Sequence, residues 1–153
     1  YPAYKYNMTD ILAAIGLAQL ERYGELLQRR RELIELYDSL IKPLGIETLE
    51  HYGNDFSSSG HLYMVRLPGI KEGQRNELIV RMADAGIACN VHYKPLPMFT
   101  AYRKLGFDIE RFSNAFGQYQ CELTLPLHTL LSHEDVVWVA GTLRHVVAEV
   151  RGM

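Results

Sequence analysis

Residues 61–93, HLYMVRLPGIKEGQRNELIVRMADAGIACNVHY, decide the fold class of this chain. The segment 61–67 has the alternation and composition of a β-strand, and a Pro-Gly turn ends it. Residues 77–85 have helical spacing, and Gly86 lies where a C-cap glycine is expected. Residues 87–93 alternate again and predict a second strand. A strand, a helix and a strand with short connections predict a crossover unit within one sheet, and therefore an α/β fold.

Helical patterns flank this unit on both sides. Thr9 is the predicted N-cap of the first helix, which is apolar on nearly all sides over residues 11–20 and therefore needs partners on several sides. Gly24 is the predicted place of a kink or a break. Beyond it the pattern is amphipathic until Pro43 and Gly45 stop it. The apolar residues expected to pack on the sheet are Leu33, Leu36 and Leu40.

The C-terminal part predicts one more strand and the clearest helix. Residues 123–125 have strand composition. Ser132 and Asp135 form a capping pair, and an apolar stripe at helical spacing continues from there nearly to the end of the chain. We therefore predict that residues 1–153 form one domain, a small sheet covered by helices with a long N-terminal helix.

Composition argues against several classes of function. The chain has 153 residues and a formal net charge of -2, which gives no electrostatic reason to expect nucleic acid or an anionic membrane as a partner. No apolar run approaches the roughly 18 residues of a membrane span. Cys89 and Cys121 are more simply read as reduced and buried than as a disulfide, which favours a cytoplasmic location. The sequence begins with Tyr1 instead of Met, so we expect something longer, or a cleavage, before it.

No catalytic residue and no metal ligand is predicted from spacing. The histidines and cysteines show none of the close pairs that zinc sites use, and neither of the common glycine-rich phosphate-binding motifs is present. Cys89 and His92 are a candidate nucleophile and base, but on a strand their odd separation turns the two side chains to opposite faces. We therefore expect no dyad between them.

Two polar segments are candidates for ligand binding. Residues 4–7, Tyr-Lys-Tyr-Asn, precede a helix N-terminus, where unpaired backbone donors and positive potential suit a phosphate. Residues 90–97 open from the predicted strand end into a proline-stiffened turn, so His92 and Tyr93 are held on a rigid edge that suits ligand contact. On these residues alone, a capping stretch and a surface histidine are the simpler interpretations.

Several short motifs follow one another in the order of a known family. Residues 4–11, Tyr-Lys-Tyr-Asn-Met-Thr-Asp-Ile, form one of them. The others are the arginine run 29–31, the strand start 61–63, the Gly86-Ile87 turn, Val91-His92-Tyr93, and Leu-Pro-Leu-His at 125–128 before an acidic-capped last helix. This ordered set resembles the DegT/DnrJ/EryC1/StrS aminotransferases, whose helix start reads G-Y-(N/K)-(Y/F)-(R/N)-(M/L)-(T/S)-(D/E)-(I/L). The likeness covers essentially the whole chain.

The resemblance implies the C-terminal small domain of a fold-type-I aminotransferase that depends on pyridoxal 5'-phosphate and works as a homodimer with active sites between subunits. It implies a nucleotide-linked keto sugar as substrate and, usually, glutamate as amino donor, in amino-sugar or cell-surface polysaccharide biosynthesis. It also implies that Lys5 and Asn7 reach the cofactor phosphate of the neighbouring subunit, and that His92 and Tyr93 lie near the substrate pocket.

The large domain that carries the Schiff-base lysine in that family has no counterpart in residues 1–153, and none of the five lysines has an acidic neighbour placed for the cofactor ring. The chain alone is therefore expected to be inactive. Many members have Asn where this chain has Lys5 and Arg where it has Asn7, which leaves open which of the two meets the phosphate. The alternative function is a standalone binding or oligomerisation module that kept the fold and lost the chemistry.

Overall fold

The computed structural model describes residues 6–152. Its strands are β1 (Glu47–Thr48), β2 (Tyr63–Arg66) and β3 (Glu122–Leu125). They form a three-stranded antiparallel sheet in the order β1-β2-β3. All four residues of β2 are paired with residues of β3, so the two strands lie side by side over their whole length. The predicted combination of a small sheet with covering helices is confirmed.

Six α-helices accompany the sheet within residues 6–152. Their bounds are α1 (Asp10–Glu21), α2 (Tyr23–Ile41), α3 (Glu72–Asp84), α4 (Thr100–Lys104), α5 (Ser113–Cys121) and α6 (His133–Arg151). Single 3-10 turns lie at Lys42–Leu44, Leu96–Met98 and Ile109–Arg111. The long N-terminal helical stretch breaks at Arg22, which is close to the break predicted at Gly24.

The hydrophobic core lies between the sheet and the long helices α2, α3 and α6. Leu33 is fully buried there, and Leu36 and Leu40 pack against the same core, as predicted. Tyr63 of β2 is also buried, and its ring stacks on Tyr37 of α2 with 4.6 Å between the ring centroids. One continuous core therefore fixes the sheet to the helices.

The helix ends follow the sequence signals. The Thr9 hydroxyl accepts a backbone hydrogen bond at the start of α1, and Ser132 and Asp135 form a reciprocal capping box at the start of α6. Gly86 has a φ of 77°, the left-handed conformation that a C-cap glycine adopts after α3. α3 begins at Glu72, earlier than predicted, because the Lys71 N–H donates to the Gln74 side chain in the first turn of the helix.

The predicted second strand at residues 87–93 is wrong. Asn90 alone in this segment pairs with β3, through an isolated antiparallel bridge to Thr124. After the bridge, the backbone N–H groups donate to side chains instead of to a neighbouring strand. The Val91 N–H donates to the amide oxygen of Asn90 at 2.8 Å, and the His92 N–H donates to the Glu122 carboxylate at 3.0 Å. The crossover unit inferred from this strand is wrong as well, because the neighbour of β2 is the antiparallel strand β3.

α1 stands apart from the core and has no buried residue. The large apolar side chains that it exposes are Ile11, Leu12, Ile15, Leu17 and Leu20. The sequence predicts a helix that needs partners on several sides, and within residues 6–152 no residue of α1 is buried. No helix within residues 6–152 combines the length and the apolar character needed to cross a membrane.

Candidate ligand-binding site beside β3

His92 lies beside β3 and is fixed by two side chains of that strand. Its Nδ1 is 2.9 Å from Thr124 Oγ1, and its backbone N–H donates to Glu122 Oε2 at 3.0 Å. The Thr124 hydroxyl donates to Glu122 Oε1 at 2.6 Å, which closes a ring of contacts. Glu122 and Thr124 are two residues apart on a strand, so both side chains leave the same face of the sheet. We call these three residues the Glu122–Thr124–His92 triad.

The carboxylate of the triad is buried, with Glu122 only 1% exposed. Burial raises the pKa of the Glu122 carboxyl above its ordinary value. Hydrogen bonds from Thr124 and from the His92 backbone, together with the charges of His92 and Arg75, act in the opposite direction. When the carboxyl is ionised, both of its oxygens accept hydrogen bonds, one from the His92 backbone N–H and one from the Thr124 hydroxyl.

Arg75 of α3 supports the beginning of β3. Its side chain is 1% exposed, and Nη1 donates to the Tyr119 carbonyl at 2.9 Å, in the last turn of α5. The guanidinium also lies over the Tyr119 ring, 4.6 Å from its centroid. The last carbonyls of a helix lack intrahelical partners, and a cation is favourable there. Arg75 therefore caps α5 at the point where the chain enters β3 at Glu122.

Sequence reasoning missed Arg75, Glu122 and Thr124. A signal for the last two exists in residues 122–125, Glu-Leu-Thr-Leu, whose alternation places both polar side chains on one face of a strand. No local pattern marks Arg75, because an arginine among the polar residues of α3 reads as part of a solvated helix face. Its burial comes from the packing of α5 on α3, which is a long-range feature.

Tyr93 lies next to the triad and is mostly exposed. Its ring meets the His92 ring edge-to-face, with 4.7 Å between centroids, and the peptide bond that joins the two residues is cis. The following turn opens an apolar pocket, which is lined by Pro95, Leu96, Pro97, Tyr102, Phe107 and Phe112. The two predicted substrate residues therefore lie together on one surface, and an apolar pocket begins two residues further along the chain.

The predicted phosphate site is only partly described. Lys5 lies outside the described residues, and Asn7 is exposed ahead of the N-cap of α1. Within residues 6–152, no hydrogen bond or ring contact joins Asn7 to His92 or Tyr93. The first turn of α1 already carries an acidic residue at its positive end. A phosphate bound there would therefore need a further positive charge.

No lysine among the residues that the structure describes is enclosed in a pocket. Lys42 forms an ion pair on the surface of α2, and Lys94 lies over an aromatic ring at 5.7 Å from its centroid. Lys71 and Lys104 are exposed. A lysine that reacts with a carbonyl group at neutral pH needs a desolvated ammonium, and the side chains of these four lysines are exposed to water.

Cys89 is poorly suited to act as a nucleophile. Burial raises the pKa of its thiol to about 12, and the Nδ1 of His92 is engaged by Thr124. Cys89 and Cys121 are both free thiols, as expected. In the part of the chain that the structure describes, no group of three or more His, Cys, Asp or Glu side chains is placed to hold a metal ion.

Known proteins resemble the chain over nearly its whole length. Residues 1–144 match the model of the DegT/DnrJ/EryC1/StrS aminotransferase family. A UDP-4-amino-4,6-dideoxy-N-acetyl-beta-L-altrosamine transaminase from Campylobacter jejuni is 32% identical over 97% of this chain and 39% of that protein. The spore coat polysaccharide biosynthesis protein SpsC of Bacillus subtilis is 32% identical over 95% of this chain and 38% of that protein.

A solved structure has the same fold. Spr1654 from Streptococcus pneumoniae, described as a sugar aminotransferase and solved in its PMP form, has a TM-score of 0.95 and 47% sequence identity to this chain. The match covers 99% of this chain and 38% of Spr1654. The chain thus spans about two fifths of the length of the proteins that it resembles.

Proposed function

This chain belongs to the DegT/DnrJ/EryC1/StrS aminotransferase family, and we propose that residues 1–153 are the C-terminal small domain of an aminotransferase that depends on pyridoxal phosphate. The substrate is a nucleotide-linked keto sugar and the amino donor is glutamate. The observation that carries the proposal is the match to sugar aminotransferases over nearly the whole chain. The names of the curated relatives, a UDP-sugar transaminase and a spore coat polysaccharide protein, support a role in amino-sugar or cell-surface polysaccharide biosynthesis.

The exposed helix α1 supports a larger assembly around this domain. An apolar helix without a buried residue is unfavourable in water, so in the working enzyme another surface covers it. We assign that surface to the large domain or to the partner subunit of a homodimer. The free thiols Cys89 and Cys121 support a reducing compartment, the cytoplasm.

Lys5 and Asn7 are our candidates for the phosphate of the cofactor, across the dimer. Pyridoxal phosphate, when bound, supplies the electron sink for amino transfer. The Asn7 side chain is exposed just before α1, where its amide can donate to a phosphate oxygen. Lys5 would add the positive charge that offsets Asp10 in the first turn of the helix.

His92 and Tyr93 are our candidates for the sugar-nucleotide side. His92 is half-buried and fixed by β3, while Tyr93 offers an exposed ring and hydroxyl beside it. A fixed polar group next to an aromatic ring is a common arrangement in sites that bind small polar ligands. Neither residue is assigned a bond-making role.

Lys5→Ala and Asn7→Ala, made separately in the complete protein, test the phosphate assignment. Loss of one charge-assisted contact costs about 1.5–3 kcal/mol. The affinity for pyridoxal phosphate, measured by spectroscopic titration, should therefore weaken about tenfold or more in one of the variants. Lys104→Ala is the matched control, because it removes an exposed lysine of α4 and should leave the affinity unchanged.

Unchanged affinity in both variants would sink the assignment and leave residues 4–7 as a helix cap. Failure of the complete wild-type protein to bind pyridoxal phosphate would favour the binding or oligomerisation module instead. The chain of residues 1–153 alone, mixed with the cofactor, should show no lysine-bound absorbance beyond that of exposed lysines, since no described lysine lies in a pocket.

A further inference from the structure

The single proton of the Thr124 hydroxyl decides which ring nitrogen of His92 carries hydrogen. A threonine hydroxyl has one proton to donate and lone pairs to accept with. Thr124 donates that proton to the ionised Glu122 carboxylate at 2.6 Å. Toward His92, at 2.9 Å, the same oxygen can only accept, so the Nδ1 of His92 must carry a hydrogen. In a neutral imidazole the other nitrogen, Nε2, is then an acceptor.

We propose that Glu122 and Thr124 are positioning residues that hold His92 in the Nδ1–H tautomer, so that its Nε2 serves as a hydrogen-bond acceptor for a ligand. Within residues 6–152 no side chain or backbone group engages Nε2. The identity of its partner, a hydroxyl or amide N–H of the sugar, rests on the proposed function. The tautomer does not rest on it, because the triad is complete within this chain.

The structure holds each member of the triad in place. Glu122 cannot rotate freely, because Oε2 accepts from the His92 backbone while Oε1 accepts from Thr124. Thr124 is 6% exposed, its backbone forms the bridge to Asn90, and its β-branched side chain has few rotamers. The charged group on the neighbouring helix α3 that acts on Glu122 is Arg75, which favours the ionised carboxylate. The edge-to-face contact with Tyr93 limits the tilt of the imidazole ring.

Glu122→Gln should keep the positions of the three side chains but reverse the direction of the hydrogen bonds between residue 122, Thr124 and His92. The His92 backbone N–H still needs an acceptor, so the amide oxygen of the glutamine stays on that side. The NH₂ group then faces Thr124 and donates to its oxygen. The hydroxyl must turn and donate to Nδ1 of His92, and the ring hydrogen moves to Nε2.

The tautomer is measured by magic-angle-spinning NMR of the complete protein with ¹⁵N-labelled histidine rings, without substrate and at alkaline pH, where an imidazole is neutral. The signals of His92 are assigned by their loss in His92→Asn. We expect a protonated-type nitrogen at Nδ1 in the wild type and at Nε2 in Glu122→Gln. Thr124→Ser keeps the hydroxyl and should retain the wild-type pattern. Thr124→Val removes the hydroxyl and should lose the Nδ1–H preference.

A wild type with hydrogen on Nε2, or a Glu122→Gln variant that keeps it on Nδ1, would overturn the proposal. If Glu122→Gln does not fold, the Thr124 pair decides, because equal patterns in Thr124→Ser and Thr124→Val contradict the role of the hydroxyl. These readouts need neither cofactor nor substrate. Their failure is therefore distinct from a failure of the Lys5 and Asn7 titrations.

Discussion

Replacement of Arg75 by Met should weaken the junction of α5 and β3 by about 3 kcal/mol. The main loss is the bond from Nη1 to the Tyr119 carbonyl at 2.9 Å. A hydrogen bond from a charged donor contributes about 1.5–3 kcal/mol, and a buried carbonyl left unpaired costs about 1–3 kcal/mol. The contacts with Asn76 at 2.8 Å and Glu72 at 3.8 Å add little, because both partners are partly exposed to water. Met fills much of the same volume, so cavity formation is a minor cost.

Hydrogen exchange of the backbone amides in α5 and β3 measures this change where it occurs. Since 1.4 kcal/mol is a factor of ten, the protection of these amides should fall about a hundredfold. Arg81→Met is the matched control, because it removes an exposed arginine of the same helix together with its ion pairs to Glu77 and Glu149. Its α5 and β3 protection should stay near that of the wild type. Equal losses in the two variants, or no loss in Arg75→Met, would refute the capping role of Arg75.

Two further predictions concern the loop before β2 and the buried carboxylate. Gly60→Ala should destabilise the protein by about 1–3 kcal/mol, because Gly60 has a φ of 61° and a Cβ there would lie 2.8 Å from Ile34 Cδ1. Hydrogen exchange of the backbone amides in α2 measures this loss of stability. Unchanged protection of these amides would contradict the clash. The folded-state pKa of Glu122 is raised above 4.5, so its contribution to stability is present below that pH and is lost as the pH rises through the folded pKa. The thermal midpoint of Glu122→Gln, relative to that of the wild type, should therefore increase as the pH rises above about 4.5. A constant difference between the two midpoints from pH 4 to 8 would contradict this.

The ends of α2 and α3 and the start of α6 were predictable because local chemistry marks them. The Ser132 and Asp135 capping pair, the glycine after α3 and the Pro-Gly stop after α2 each satisfy backbone groups within a few residues, so no tertiary information is needed. β2 was predictable for a similar reason, because its alternation places Tyr63 and Val65 in the core.

The segment 87–93 shows where such signals end. Its alternation is as regular as that of β2, but a strand also needs a partner with free backbone groups over several residues. Only one bridge to Thr124 forms, and the donors that follow it bond to side chains. The sequence therefore singled out His92 as a candidate, while its partners Glu122 and Thr124, some thirty positions away, followed from tertiary packing alone.

The burial of Glu122 is best understood through the segment that it holds. A buried carboxylate opposes folding at neutral pH, and an apolar residue of similar size would not carry that penalty. Residues 91–93, however, form no backbone hydrogen bonds to a neighbouring strand, and the Glu122 carboxylate accepts the hydrogen bond from the His92 N–H instead. Through Thr124, the same carboxylate determines which ring nitrogen of His92 carries hydrogen. A buried carboxyl with a raised pKa that orders a half-exposed histidine is the combination expected where function constrains stability. We therefore include the polar face of β3, together with the N-terminal segment, in the proposed site.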